Sequence, residues 1–209
     1  MNSSQRDFNK AAAHWDQGQG RKELANDVAQ AIINAGIIRE DMKVLDFGCG
    51  TGLLTLQLQP LVDSIIGVDN SEGMLQVMRE KIELQQLTNI ETKLLNLEAG
   101  DRLEGAYDLI VSSMTLHHIQ DIKAIFHAFF QVIKPGGYLS IADLDLDKGL
   151  FHQDNTGVCH HGFDRAELQH ILEEAGFNDI RFVTAAEMIR TNEAGTNSFS
   201  VFLVTGIKQ

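Results

Sequence analysis

The chain has 209 residues, 44% of them hydrophobic, and carries 17 Lys plus Arg against 29 Asp plus Glu, a formal net charge of −12. That length suits one α/β domain, 1–209, with a substantial buried core. The acidic balance, with a pI near 5.0, lacks the electrostatic footprint that nucleic acid requires. No apolar run approaches the roughly 18–20 residues needed to span a bilayer, which excludes an integral helical membrane protein.

The N-terminal stretch MNSSQRDFNKAAAHWD at Met1–Asp16 lacks the apolar core of a secretory signal, so the expected location is cytoplasmic. Cys49 and Cys159 are the only cysteines, too few for a disulfide framework and in keeping with a reducing compartment. Residues 20–35 predict an amphipathic helix with Leu24, Val28, Ile32 and Ile33 on one face. Short apolar runs then predict strands at Lys43–Phe47, Ser64–Asp69, Glu91–Leu95, Tyr107–Ser112 and Tyr138–Asp143. Helical patterns at Leu53–Gln59, Gly73–Gln85 and Ile122–Ile133 lie between them. Alternation of this kind implies right-handed crossovers and a mostly parallel sheet. The tail predicts a helix at Asp164–Glu174 stopped by Gly176, then strands near Asp179–Thr184 and Phe199–Thr205. The polar stretch Ala185–Asn197 is expected to join these last strands as a hairpin connection.

Lys43–Leu54 reads KVLDFGCGTGLL, a strand, a glycine-rich turn and a helix start. In an open α/β sheet such a turn lies where ligands bind, at the carboxyl ends of the strands. Two ligand classes compete for it. The dinucleotide fingerprint G-x-G-x-x-G needs a third glycine where this chain has Leu53. The glycines here are Gly48, Gly50 and Gly52, with Asp46 two residues before the first. An acid beside the loop suits a ligand carrying an ammonium and a sulfonium better than a pyrophosphate. A nicotinamide-dependent oxidoreductase is the competing enzyme class, and a tight turn holding no ligand is the plain structural alternative.

These residues resemble the first motif of the class I S-adenosylmethionine-dependent methyltransferases, and the resemblance continues in order along most of the chain. IGVDNSEGM at Ile66–Met74 resembles the second motif. It implies that Asp69 accepts both ribose hydroxyls of S-adenosyl-L-methionine, with Asn70 and Met74 flanking the adenine. The alternative for Asp69 is a surface cap of the next helix. In LLNLE, Asn96 followed by Leu97 stands where the family has an acid and a small residue against the adenine amino group. YDLIVSSMTLHHIQD and IKPGGYLSI resemble the fourth- and fifth-strand motifs. The resemblance thus implies a Rossmann-like seven-stranded, mostly parallel sheet with helices on both faces and an antiparallel last strand. The cofactor residues it implies are Trp15, Asp46, Gly48, Cys49, Gly50, Thr51, Gly52, Asp69, Asn70, Met74, Asn96, Leu97 and Ser112. FNKAAAHWD is similar to the stretch of ubiquinone-type and malonyl-carrier methyltransferases that folds over the cofactor. Trp15 and Asp16 are the lid candidates there, or else an N-terminal cap packed on the sheet.

Methyl transfer from a sulfonium asks the protein mainly to hold acceptor and methyl together and at times to remove a proton. Candidates for that proton are His117, with its neighbour His118, and His152, His160 and His161 of the segment DLDLDKGLFHQDNTGVCHHGF at Asp143–Phe163. That segment follows the fifth strand and is expected to act as a mobile lid over the acceptor. Its His152, Asp154, Cys159, His160 and His161, near Asp143 and Asp145, could ligate a metal by residue type. Their spacing matches no finger or HExxH helix, so the expected reading has no metal. The expected partner is a small-molecule methyl acceptor; a protein substrate and a cofactor-binding protein without catalysis are the remaining alternatives.

Overall fold

A computed structural model describes residues 7–152, 154–192 and 195–209. Seven strands form one sheet: β1 Lys43–Phe47, β2 Ser64–Asp69, β3 Ile90–Leu94, β4 Tyr107–Ser113, β5 Ile133–Leu144, β6 Asn178–Asn192 and β7 Gly195–Ile207. Their order is β3-β2-β1-β4-β5-β7-β6. The first five strands pair in parallel, and β7 runs antiparallel to both neighbours. The helices are α1 Phe8–Ala11, α2 Gln19–Asn34, α3 Thr55–Leu58, α4 Glu72–Leu84, α5 Ile122–Val132 and α6 Arg165–Glu174.

The strand period divides the core between two faces. Val44, Leu109, Val201 and Leu203 pack with Val28 and Ile32 of α2. Their chain neighbours Leu45, Ile110 and Phe202 pack with Phe126 and Phe129 of α5 and with Leu168 and Leu172 of α6. Of the residues expected on the buried side of α2, Leu24, Val28 and Ile32 are buried, whereas Ile33 is 38% exposed. Side-chain caps start the later helices. Ser71 accepts from Met74 N at α4, Asp121 from Ala124 N at α5, and Asp164 from Ala166 N and Glu167 N at α6.

The last two strands differ from expectation. Ala185–Asn197 is no long connection: the ladder runs on through Met188↔Phe199 and Arg190↔Asn197 to Asn192↔Gly195. The segment reads as polar because one face of this edge hairpin is solvated. Ile189, for instance, is 74% exposed, while Ala186 and Phe199 are buried. The hairpin thereby reaches beyond the sheet, and its Met188 and Arg190 arrive at the same cleft as the glycine loop.

The reversal of strand order between β1 and β4 is the switch point of the sheet. Everything that follows is built on the carboxyl ends of β1, β2, β4 and β5. Phe202 should carry much of the far side of the core, since it is fully buried and meets the rings of Phe163 and Phe182 at 6.4 and 5.6 Å. Phe202→Ala is expected to cost about 3–5 kcal/mol in urea denaturation. Ile189→Ala on the solvated face should change stability by less than about 0.5 kcal/mol.

Candidate active site

Above the switch point lies a cleft of about 890 Å³. Its floor is the glycine loop, which is hung on β2: Gly48 N and Cys49 N both donate to Val68 O, at 2.8 and 3.0 Å. Asp69, at the end of β2, completes the join. One carboxylate oxygen accepts from Gly50 N and the other from Ser71 N, each at 2.8 Å. Burial raises the Asp69 carboxyl above its ordinary value, against the backbone donors of Ser71, Gly50 and Asn70. Each oxygen keeps a second lone pair for a ligand hydroxyl.

The three glycines of the loop do different work. Gly48 has φ +71°, and a Cβ there would come within 2.3 Å of Thr115 Oγ1, so it lets β1 and the turn after β4 close on each other. At Gly50, φ is +54° and a Cβ would meet nothing within 4 Å. Its missing side chain leaves room on the cleft side of the loop. Gly52, expected at the cofactor, is not on the cleft lining. A Cβ there would sit 2.9 Å from Met78, so this glycine serves the packing of α4.

Asp46 is 1% exposed beneath the loop, and Thr55 Oγ1 donates to it at 2.5 Å. Burial pushes its carboxyl up to about 7, with the Asp69 charge adding to the rise and the Thr55 bond opposing it. Burial also pushes the neighbouring Cys49 thiol well up. Thr51 is buried and donates to Asp16 Oδ1 at 2.6 Å, and Lys81 binds both Thr51 O and the Asp16 carboxylate.

The N-terminal segment closes one side. Asn9 Oδ1 accepts from Ser71 Oγ and Gly73 N at the start of α4. Trp15 lines the cleft with the Arg21 guanidinium 4.0 Å over its ring, and Phe8 meets both Trp15 and His118 edge-on. Asn70, Met74 and Leu97 also lie on the lining. Asn96 does too, but its Oδ1 already accepts from Glu98 N and Ala99 N at 3.1 and 3.2 Å. That oxygen works as a cap, which argues against the adenine contact expected of it.

Ser112 is displaced from its expected role. It is fully buried and donates to Phe47 O at 2.7 Å, a bond between adjacent strands. The cleft is instead lined by the following residues Ser113, Met114 and Thr115, one step beyond the strand alternation. Met114 holds φ +56°, a left-handed conformation that turns the chain sharply out of β4. The sequence carries no signal for that turn.

The opposite wall is built by histidines. His117 is 1% exposed, and its Nδ1 lies 2.7 Å from Oδ1 of the fully buried Asp143 on β5. Burial alone would raise the Asp143 carboxyl. The His117 ring and the backbone N–H groups of Leu144 and His117 outweigh it and hold the carboxyl below its usual range. An ionised Asp143 makes Nδ1 of His117 the protonated nitrogen and turns Nε2 towards the cleft. His152 Nε2 sits 3.2 Å from that Nε2, and His118 Nδ1 lies 2.7 Å from Gly157 O.

His160 and His161 are placed elsewhere, and neither lines the cleft. The His160 ring binds Ile119 O at 2.8 Å and packs on Phe163, while His161 O accepts from Asp147 N. Cys159 and His160, whose amides both donate to His117 O, fasten the segment after β5 to the turn after β4, while His161 braces the segment internally. Asp145 anchors the base of that segment through Arg165, at 2.7 and 2.6 Å, and Ser200. Phe151, His152 and Asp154 are side chains that the segment brings to the cleft.

With this geometry in view, residues 38–176 match the methyltransferase domain family. An uncharacterized methyltransferase of Schizosaccharomyces pombe is 30% identical over 185 residues, which cover 81% of this chain and 65% of that protein. The ubiquinone biosynthesis O-methyltransferase of Coxiella burnetii is 30% identical over 203 residues, 96% of this chain and 82% of the relative. Among solved structures, the DhpI–SAH complex superposes with a TM-score of 0.73 at 20% identity, covering 97% of this chain and 94% of the other. The chain belongs to the class I S-adenosylmethionine-dependent methyltransferases. Membership removes the nicotinamide oxidoreductase alternative, as Leu53 in the third glycine's place already suggested. Among the described residues no helix is long and apolar enough to cross a membrane.

Asp46 gives a pH test of the loop. Between about pH 4 and 7 the folded chain keeps a proton on Asp46 that the unfolded chain has lost, so stability falls as pH rises through that window and levels above it. Asp46→Asn removes this loss. Measured by urea denaturation, the variant should gain on the wild type between pH 5 and pH 8 by on the order of 2 kcal/mol. A stability difference that stays constant with pH would refute the assignment.

Proposed function

We propose that this protein transfers a methyl group from S-adenosyl-L-methionine to a small-molecule acceptor. The observation that carries the reading is the glycine loop tied to Asp69 beneath an open position at Gly50, on the floor of the switch-point cleft. The donor set fits the cofactor. Asp69 has lone pairs for two vicinal hydroxyls, and Asn70, Met74 and Leu97 offer a mixed flat wall for a purine. Asp46 braces the loop from below through its bond with Thr55. Trp15 and Phe8 close the cleft from the N-terminal side.

When bound, the cofactor supplies an electrophilic methyl group on a good leaving group. The protein's own task is to hold the acceptor in line and keep water out. Phe151, Met188 and Ile119 provide the apolar part of the acceptor wall, and Arg190 lies beside them. His117, oriented by Asp143, directs Nε2 at that space, where it can hold a hydroxyl, thiol or amine through its proton. The acceptor is small because a cleft of about 890 Å³ must also house the cofactor. The net charge of −12 disfavours a polyanionic partner. The Coxiella burnetii relative is a ubiquinone biosynthesis O-methyltransferase, which agrees with an acceptor of this size.

Isothermal titration calorimetry tests the reading. S-adenosylmethionine and S-adenosylhomocysteine should bind with one site, and NAD should not. Asp69→Ala should weaken binding by about 1.5–3 kcal/mol, the usual loss for hydrogen bonds to a charged group. Gly50→Ala should cost the fold only about 1–2 kcal/mol for its left-handed backbone, yet abolish cofactor binding because the methyl enters the cleft. Normal binding in both variants would sink the placement. A labelled-methyl screen of hydroxyl, thiol and amine acceptors then separates catalysis from a cofactor-binding protein without turnover.

A further inference from the structure

The side chains of His117, His118 and His152 converge on one corner of the cleft, from the turn after β4 and from the segment after β5. Their ligand-capable nitrogens all lie within 4.8 Å of one another. The rings lie tilted to one another at centroid distances of 4.1 Å for His117–His118 and 5.0 Å for His117–His152. We propose that these three imidazoles form a binding site for a divalent transition-metal ion of the zinc type.

A general base needs one imidazole with its lone pair towards the substrate. Here three imidazoles bring ligand nitrogens into one corner of the cleft. His117 gives its Nδ1 proton to Asp143 at 2.7 Å, and His118 gives its own to the carbonyl of Gly157 at 2.7 Å. In both rings the lone pair is then on Nε2. Imidazoles that bind metals are held in the same way, with the far nitrogen donating to a carboxylate or a backbone carbonyl. A divalent cation can take a lone pair from each of the three rings at once.

The spacing agrees. Two nitrogens bound tetrahedrally at about 2.0–2.1 Å from zinc are about 3.3 Å apart. His117 Nε2 and His152 Nε2 stand at 3.2 Å. Neutral imidazoles favour zinc and its first-row neighbours over magnesium or calcium, which prefer oxygen. The buried Asp143 carboxylate adds a negative charge behind His117, favouring a cation in front of it. Three histidine ligands leave a fourth position open towards the cleft, the pattern of catalytic rather than structural zinc.

The site also narrows the acceptor, a step that rests on the methyltransferase reading. A hydroxyl or thiol in the fourth position loses its proton to water, binds through one lone pair and keeps another for the methyl carbon. An amine has a single lone pair, which the metal would occupy. The site therefore selects an oxygen or sulfur acceptor.

The test uses the full chain with any histidine tag removed and metal stripped by a chelator. Cobalt(II) should bind with one-to-one stoichiometry and give the visible ligand-field bands of a tetrahedral nitrogen-rich site, and zinc should displace it. His118→Ala and His152→Ala should each weaken binding at least about 100-fold, and Asp143→Asn about 10–100-fold as an outer partner. The double variant His160→Ala/His161→Ala should retain the full signature, since neither ring reaches the cleft. Circular dichroism and melting temperature verify that the variants fold, and His118 and His152, only half-buried, are the substitutions least exposed to misfolding. Absence of a stoichiometric site in the wild type, or full affinity in His118→Ala and His152→Ala, overturns the proposal. Calorimetry with S-adenosylhomocysteine is read separately. A cobalt site in a protein that fails to bind that compound upholds the metal site and removes the methyltransferase reading.

Discussion

The carboxylate of Asp69 holds the site together. It joins the end of β2, the glycine loop after β1 and the start of α4, through its bonds to Gly50 N and Ser71 N. Parallel strands end in separate loops, and nothing in a parallel ladder fixes those loops against each other. The bonds of Gly48 N and Cys49 N to Val68 O begin the fixing, and a short acid at the strand end extends it to Gly50 and Ser71. It satisfies amides that would otherwise face the cleft unpaired, and keeps an acceptor surface for a ligand. The raised carboxyl of Asp69 follows from the same placement, since burial opposes its charge.

Opposite this cofactor-side anchor stands a second carboxylate with the reverse electrostatic outcome. Asp143 is more deeply buried than Asp69, yet its carboxyl is held low because the His117 ring and backbone amides face it. Asp46, with one hydroxyl donor and no cation, goes up to about 7. The contrast among the three acids rests on their donors rather than on depth. It separates the cleft into an acid-rich floor under the glycine loop and an imidazole wall backed by a fixed negative charge.

Much of this was legible in the chain. The helix and strand alternation, the glycine loop and Asp69 are local patterns, spelled by consecutive residues whose side-chain period follows from backbone geometry. The residues that sit differently from expectation do so for three reasons: one step of strand alternation, a local cap, and long-range docking. Ser112 and Ser113 differ by one step of strand alternation, and the left-handed Met114 that exposes the second of them has no composition cue. Asn96 looked free to meet a ligand, but a cap for the short turn after β3 had taken its oxygen. His160 and His161 belong to the same histidine-rich run as His152, and only the docking of that run on the turn after β4 sorts them. The polar hairpin of β6 and β7 misled for a simpler reason: an edge strand with one solvated face lacks the apolar density that marks a central one.

The N-terminal segment links the two halves of the cleft. Asp16 is bonded to Thr51 in the glycine loop and paired with Lys81 of α4, while Asn9 is bonded to Ser71 and Gly73 at the start of the same helix. Phe8, between them, touches Trp15 on one side and His118 of the imidazole wall on the other. The glycine loop, Asp16 and, through Trp15 and Phe8, the ring of His118 thus form one contiguous chain of contacts, so the floor of the cleft and its imidazole wall are braced by the same short segment.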